Sequence, residues 1–380
     1  MTMSLVLTLA SRNLFQDRLR FVATLIGIVF SVVLVMVQMG LYLGFGRMVT
    51  TMIDHADADL WVVSKGATSF EDLTLLDIRT RDRLPGIDGV AAVIPVVIGF
   101  ADWRRQSDGR VKPVFVIGSD LDARALAPWN LVDGNLDALR TSNAVAVDKT
   151  YFGDLGVSGV GSAAEIRSQP ATVAAVTEGI RSFTTTPYVF ADLARARTYI
   201  GLPPTKFNHF MIRLRPGADV RSVQHDMQSA VPDADVLTPA QFRDRSRSFW
   251  LFGTGAGAAL FAGALLGVIV GTVIVAQTLY SSTKDHLYEF ATLRAIGCSN
   301  RYIYRVIIWQ ALLNAVIGFA VATAIGYVVV QVTAKSALPI VITPALVGGL
   351  FALTIVMCVG SAVTAIIRVV RIDPVMVMSR

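Results

Sequence analysis

Residues able to do chemistry are few in this chain and stand far apart. The four histidines, His55, His209, His225 and His286, are isolated from one another, and the His225-Asp226 pair falls on a helical face that reads as solvated. Cys298 lies in a charged insert and Cys358 in an apolar run, so neither suits a disulfide. No Gly-x-x-x-x-Gly-Lys-Ser/Thr occurs to cradle nucleotide phosphates, and neither His-Glu-x-x-His nor Gly-x-Ser-x-Gly is present. The sequence therefore points to no catalytic residue, no metal and no cofactor held by this chain.

What patterned residues remain suggest mechanics. The stretch 279–305 is a charged, helix-forming insert between two long uncharged runs. Ser282 with Asp285 reads as a capping box, and Gly297 is placed to end that helix in the left-handed conformation. Leu287, Phe290, Leu293 and Ile296 recur at threes and make one side apolar, with Glu289 and Arg294 beside them. Ser299 offers a second cap. Such a rigid stub suits a part that another protein pushes; an ordinary interfacial loop is the alternative. A second pattern is Gly263-x-x-x-Gly267-x-x-x-Gly271, one small-residue stripe that lets two helices approach closely. It serves packing within the chain or between two copies.

The elements that must position these residues follow from hydropathy. The chain has 380 residues, 53% hydrophobic and only 16% charged, with a mean hydropathy of +0.57. Four uncharged runs, 21–44, 248–281, 306–334 and 337–367, each exceed the ~20 residues that cross a bilayer. The first is too long for a signal-peptide core and lacks an Ala-x-Ala site, so it reads as an uncleaved span. Between the first two runs lies a polar segment, 45–247, large enough for its own core. The predicted fold class is a membrane protein, four transmembrane α-helices with a large α+β extracytoplasmic domain inserted between helices 1 and 2. No span carries an ionisable side chain, which argues against a proton relay or an ion path.

Within the polar segment, 77–84 reads as a short helix, 90–98 as a strand, and Ser107-Asp108-Gly109 as a hairpin turn. Asp219 is placed to cap a helix bearing Val220, Val223, Met227 and Ala230, followed by a strand from Val236. Two lobes are expected: 45–118 with 203–247 as a split unit with helices on one sheet face, and an inserted β-rich lobe, 119–202. The remaining divisions are an amphipathic N-terminal helix at 1–20, the insert at 282–305 and a tail at 368–380.

Basic residues set the orientation. Arg12, Arg18 and Arg20, then Lys284, Arg294, Arg301 and Arg305, then Arg368, Arg371 and Arg380 fall on one side of a four-span chain. Only Asp17, Asp285, Glu289 and Asp373 oppose them, so this side holds the whole formal net charge of +6. It should be cytoplasmic, with both termini inside and the large domain outside. Arg47, Arg243, Arg245 and Arg247 lie against this reading, close to the other face. The basic balance thus reflects topology and not nucleic-acid binding.

Glu-Phe-Ala-Thr-Leu-Arg-Ala-Ile-Gly at 289–297 resembles the coupling segment of MacB/FtsX-like ABC transporter permeases, roughly Glu-Ile-Gly-x-Leu-Arg-Ala-x-Gly. Phe290-Ala291 departs from that pattern, and Gln310 stands where a glutamate often follows. The start around Arg12-Asn-Leu, Asp-Leu-Trp-Val at 59–62 and Asp373-Pro374 near the end resemble the same family, closest to its DevC-like branch. The resemblance implies a non-catalytic permease subunit of the bacterial inner membrane. It would couple ATP and magnesium chemistry in a separate ABC ATPase dimer to motion of the extracytoplasmic domain. Leu287, Glu289, Phe290, Leu293, Arg294 and Gly297 would meet that ATPase, and Arg12, Asp373 and Pro374 would anchor the chain on the cytoplasmic side. Further implied partners are a second permease copy, a membrane-fusion or periplasmic adaptor protein, and membrane lipids. The implied activity is export of a lipid, glycolipid, peptide or similar cargo. The alternative is an FtsX-like signal transducer that activates an envelope enzyme and moves nothing.

Overall fold

The structure, a computed structural model, describes residues 10–12, 16, 18–285, 300–333 and 340–370. The chain divides into two compact units, 1–44 with 258–334 and 339–380, and 45–257 with 335–338.

The first unit is helical. Its long helices are α1 (Arg18–Met48), and, resuming after the second unit, the helices Ala256–Asp285, Asn300–Thr333 and Pro344–Val370. Each contains a segment long and apolar enough to cross a membrane. At 1.5 Å per residue the 31-residue α1 is about 46 Å long, more than the ~30 Å hydrocarbon core. Ile28, Val35 and Met36 of α1 pack with Ala264, Ala311, Ala315 and Cys358 from the other three helices. Alanine at those contacts lets the backbones approach, which is how helices associate where no water drives them together. Upstream, Ala10 is buried against Val306, with Tyr302 and Trp309 beside it, and Arg12 is exposed.

The second unit is built on one ten-stranded sheet in the order β12-β1-β11-β3-β4-β9-β6-β8-β5, with β7 bridging β3 and β8. These strands are β1 (Leu60–Ser64), β3 (Val90–Arg105), β4 (Val111–Ser119), β5 (Leu131–Gly134), β6 (Ala144–Asp148), β7 (Ala163–Ile166), β8 (Gln169–Thr177), β9 (Tyr188–Asp192), β11 (His209–Leu214) and β12 (Ala234–Leu237); β2 (Leu76–Asp77) pairs separately with β10 (Lys206–Phe207). The 16-residue β3 is the spine: it pairs with β11 early, β4 later and β7 at its end. Residues 119–202, expected as an inserted lobe, supply β5 to β9 and join this same sheet through the parallel β4–β9 pair.

Both sheet faces are covered. Leu60, Val62, Val97 and Val116 face one core, closed by Ala196 and Tyr199 of α2 (Leu193–Ile200) and Val223 and Met227 of α3 (Val220–Ala230). Trp61, Val63, Ile98 and Ile117 face the other, closed by Phe70, Leu126 and Phe242 of α4 (Pro239–Ser248). Helices therefore lie on both faces, not on one, because β1, β4 and β11 are apolar on both sides and neither can be left to water. The expected cap occurs: Asp219 accepts from Ser222 N at 3.1 Å, and Asp77 likewise accepts from Arg79 N. A capping box of Thr238 with Gln241 opens α4.

Several boundaries differ from the sequence reading. The second membrane helix, α5 (Ala256–Asp285), begins at Ala256, not at residue 248. Before it, Phe249–Gly253 forms a π-helical turn in which Thr254 N donates to Phe249 O at 3.0 Å. Gly255 then takes a left-handed φ of +76°, which breaks the helix at little cost only because it lacks a Cβ. At the other end the backbone is helical through Asp285, so Ser282 is not the cap of a new helix. A cap needs a residue that has left helical geometry, and the span simply continues. The third span is α6 (Asn300–Thr333). The fourth, α7 (Pro344–Val370), starts at Pro344 and not at 337: Thr343 Oγ1 accepts from Leu346 N at 3.2 Å, and proline suits the first helical position. Val341 N, ahead of it, donates to Gly40 O at 3.1 Å.

Candidate functional site

The residues expected to meet an ATPase, Leu287, Glu289, Phe290, Leu293, Arg294 and Gly297, lie outside the described residues, as do Asp373 and Pro374 of the expected anchor. Their flanks are described: α5 runs to Asp285 and α6 starts at Asn300.

The glycine stripe is described in full, and each member faces α1 of the same chain. A Cβ on Gly263 would lie 2.8 Å from Gln38 Nε2, and one on Gly267 would lie 3.0 Å from Val35 Cγ2. One on Gly271 would collide with Ser31. Ser31 Oγ donates to Gly267 O at 2.7 Å, so the approach is close enough for a hydrogen bond between helices. Glycines on α6 repeat the device: Gly318 faces Ile28, and Gly326 faces Met36. Gln310 and Asn314, one turn apart on α6, are also buried, and Asn314 Oδ1 has no partner among the described residues. Sequence reasoning passed over Asn314, since one amide in an apolar run barely changes its hydropathy.

In the second unit the basic residues near its start and end are engaged locally. Arg243 pairs with Asp54 at 2.9 Å and Arg245 with Asp235 at 2.6 Å, while Arg247 Nε donates to Gly46 O at 3.1 Å. Arg245 also donates to Ala67 O, tying α4 to the loop after β1. These arginines hold the two ends of the domain's chain together.

Two titratable groups of the second unit stand out for their shifted pKa values. His209 is fully buried among Trp61, Phe70 and Phe242, and its Nε2 donates to Phe70 O at 2.8 Å. Burial pushes its pKa down to about 4 against the help of that hydrogen bond, so it is a neutral core residue at neutral pH. Trp61 is likewise a core side chain, edge-on to Phe70. Glu71 is the opposite case. Its side chain is half-buried, and its carboxyl accepts from Trp250 Nε1 at 3.2 Å and from the Tyr188 hydroxyl at 3.4 Å. Burial nevertheless pushes its pKa up to about 7. Nothing in Ser-Phe-Glu-Asp at 69–72 signals this, because Trp250 and Tyr188, which cover the carboxyl, come from far along the chain.

Among the described residues no group of three or more His, Cys, Asp and Glu side chains is placed to hold a metal ion. The arrangement is one of packed helices and a braced domain.

Comparison with known proteins agrees with that character. The family model of the MacB-like periplasmic core domain matches residues 21–230, and that of the FtsX-like permease C-terminal domain matches 258–374. Among solved structures, the periplasmic region of MacB from Actinobacillus actinomycetemcomitans is similar at 10% identity and a TM-score of 0.38, covering 50% of this chain and 94% of that one. The extracellular domain of the ABC-type transporter YknZ from Gram-positive bacteria is similar at 14% identity and a TM-score of 0.35, covering 47% and 99%. No curated relative matches the chain. The two family models together span the first membrane helix, the domain that follows it and the three remaining membrane helices, and on that ground this chain belongs to the MacB/FtsX-like ABC permease family, as a multi-pass membrane protein with a periplasmic-type domain.

Proposed function

We propose that the chain is the permease subunit of an ABC exporter that works by mechanotransmission. A separate ATPase dimer hydrolyses ATP with magnesium below the inner membrane, and the permease carries the resulting motion to its extracytoplasmic domain. That domain drives export of a lipid, glycolipid, peptide or similar cargo, with a second permease copy and a membrane-fusion or adaptor protein as further partners. The observation that carries this reading is the build of the second unit: one continuous, two-faced sheet whose two ends both lead into membrane helices, α1 and α5. A rigid body of this kind moves as a whole when its supports move. The short insert between α5 and α6, with the Glu-Phe-Ala-Thr-Leu-Arg-Ala-Ile-Gly motif, is the point where the push enters.

The test is copurification of the full chain with the ATPase encoded beside it, followed by reconstitution. Binding with stimulated ATP turnover and loss of cargo from the donor membrane supports export. Stimulated turnover accompanied only by activation of an envelope hydrolase would establish the FtsX-like transducer instead. No association with an ATPase would overturn both.

A further inference from the structure

The loop after β1, strand β12, the end of α4 and the π-helical turn enclose a cleft of about 640 Å3 that has no part in the export reading. Gly66, Thr68, Asp235 and Arg245 line its polar side, and Phe249 and Phe252 line the other. Its size falls within the ~300–1,000 Å3 of sites that take small molecules.

The polar side holds hydrogen-bonding capacity of both signs in reserve. Arg245 Nη1 donates to Asp235 Oδ2 at 2.6 Å and to Ala67 O at 3.2 Å, while its Nε and Nη2 have no partner among the described residues. Asp235 Oδ2 also accepts from Gly66 N at 3.1 Å, and Oδ1 has no partner among the described residues. The two side chains are 36% and 23% exposed, so both can be reached by a ligand. A cation and an anion side by side, each with atoms to spare, match a zwitterion. An anionic group takes the two remaining guanidinium nitrogens, and an ammonium donates to the remaining carboxylate oxygen.

The other side asks for an apolar body. Phe252 is 66% exposed and Phe249 is half-buried, and phenyl rings left in water gain by being covered. Phe252 stands four residues before Ala256, the first residue of the second span. Four residues of chain reach at most about 14 Å, so the ring is held close to the end of that span. Aromatic side chains collect at this depth, in the layer of lipid headgroups and glycerol. A molecule with a zwitterionic head and an apolar body is always at hand there, namely a phospholipid.

We propose that this cleft binds the headgroup of a phosphatidylethanolamine: its phosphate on Arg245, its ammonium on Asp235 and its glycerol against Phe249 and Phe252. Such a lipid joins the π-helical turn, the last segment before the break at Gly255, to the loop after β1. The choline of phosphatidylcholine has no N–H to give Asp235, and phosphatidylglycerol has no cation, so both should bind more weakly. The site is independent of the export reading, since lipid retention needs neither ATPase nor cargo.

Native mass spectrometry of the full-length protein in detergent tests this, with the three lipids added in turn on identical acyl chains. The wild type should retain a single phosphatidylethanolamine about tenfold more tightly than either of the others. Phe252→Ala removes a side chain that belongs to none of the cores, so it should keep the melting temperature and lower that retention about tenfold. Asp235→Asn should hold phosphatidylethanolamine and phosphatidylcholine alike. Free phosphoethanolamine at the same concentration should displace little of the lipid, because it brings nothing to cover the rings. Equal retention of the three lipids, undiminished retention in Phe252→Ala, or a kept preference in Asp235→Asn would each overturn the site. Displacement by free phosphoethanolamine as effective as by the lipid would make the ligand a soluble zwitterion and overturn the lipid assignment. If Asp235→Asn fails to fold, Phe252→Ala decides the matter.

Discussion

Glu71, half-buried, and His209, fully buried, are titratable groups of the second unit whose pKa values shift in opposite directions. The folded-state pKa of Glu71 is raised from 4.5 to about 7, so the folded state holds that proton more tightly, and the stability it gives at low pH is lost as pH rises through that interval. For His209 the folded-state pKa is lowered from 6.5 to about 4, so stability is present above 6.5 and lost as pH falls towards 4. Between pH 4.5 and 6.5 the two effects oppose each other, and the wild-type domain should show a shallow pH dependence. Glu71→Gln unmasks the histidine: its thermal stability should climb with pH over this window, with a contribution of about 3 kcal/mol at most from His209. A melting temperature in that variant that falls with rising pH would contradict the assignment. Trp61, at 0% exposure, is a packing residue, and Trp61→Ala should cost about 3–5 kcal/mol by thermal denaturation. Little of this residue-scale picture was legible in the sequence. Trp61 could be read as core from its place in an apolar strand, but His209 and Glu71 acquire their properties from Phe70, Tyr188 and Trp250, which are neighbours only after folding.

At the scale of elements, α1 is the post against which α5 and α6 are notched. Gly267→Leu should drive α5 away from Val35 and Leu34 and remove the Ser31 hydrogen bond, lowering stability in detergent by about 1–3 kcal/mol. Ser31→Ala removes only the hydrogen bond and should cost about 0.6 kcal/mol. A Gly267→Leu protein that melts like the wild type would show that the stripe carries no packing. The stripe itself was visible in the sequence because small residues every fourth position mark one helix face. Its partner was not, since spacing identifies a face but not the helix opposite it. The break before α5 was also hidden: 248–255 are as uncharged as the span they precede, and hydropathy cannot see a π-helical turn. The presence of each span was legible for the same reason that break was not, because apolar content is all that such a reading weighs.

The whole molecule alternates helix, sheet domain and helices in an order that charge and hydropathy already carried. Four long uncharged runs left one polar segment, and its continuous apolar strands required cover on both faces. The expected topology, termini inside and domain outside, has a direct check. In a background with Cys298 and Cys358 replaced, cysteines at Ser107 and Ser299 should label from opposite sides of intact cells. Labelling of both from outside would refute the four-span orientation. Of the four arginines that lie against this orientation, Arg243, Arg245 and Arg247 each make a contact within the second unit.

The central claim is that the insert between α5 and α6 receives force from a separate ATPase. On the proposed reading Leu287, Phe290 and Leu293 supply the apolar anchors, as their spacing in threes suggests, and Glu289 and Arg294 supply charges that set orientation more than affinity. Truncating a central apolar anchor typically costs on the order of 2 kcal/mol or more at an interface, and rim charges cost less. The decisive measurement is ATPase binding and stimulated turnover in reconstituted membranes for Phe290→Ala, Glu289→Ala and Arg294→Ala, with expression and melting temperature as controls. Phe290→Ala should weaken binding about thirtyfold and uncouple turnover more severely than either charge variant, in proteins that all insert and fold. Normal binding and stimulation by Phe290→Ala would contradict the account.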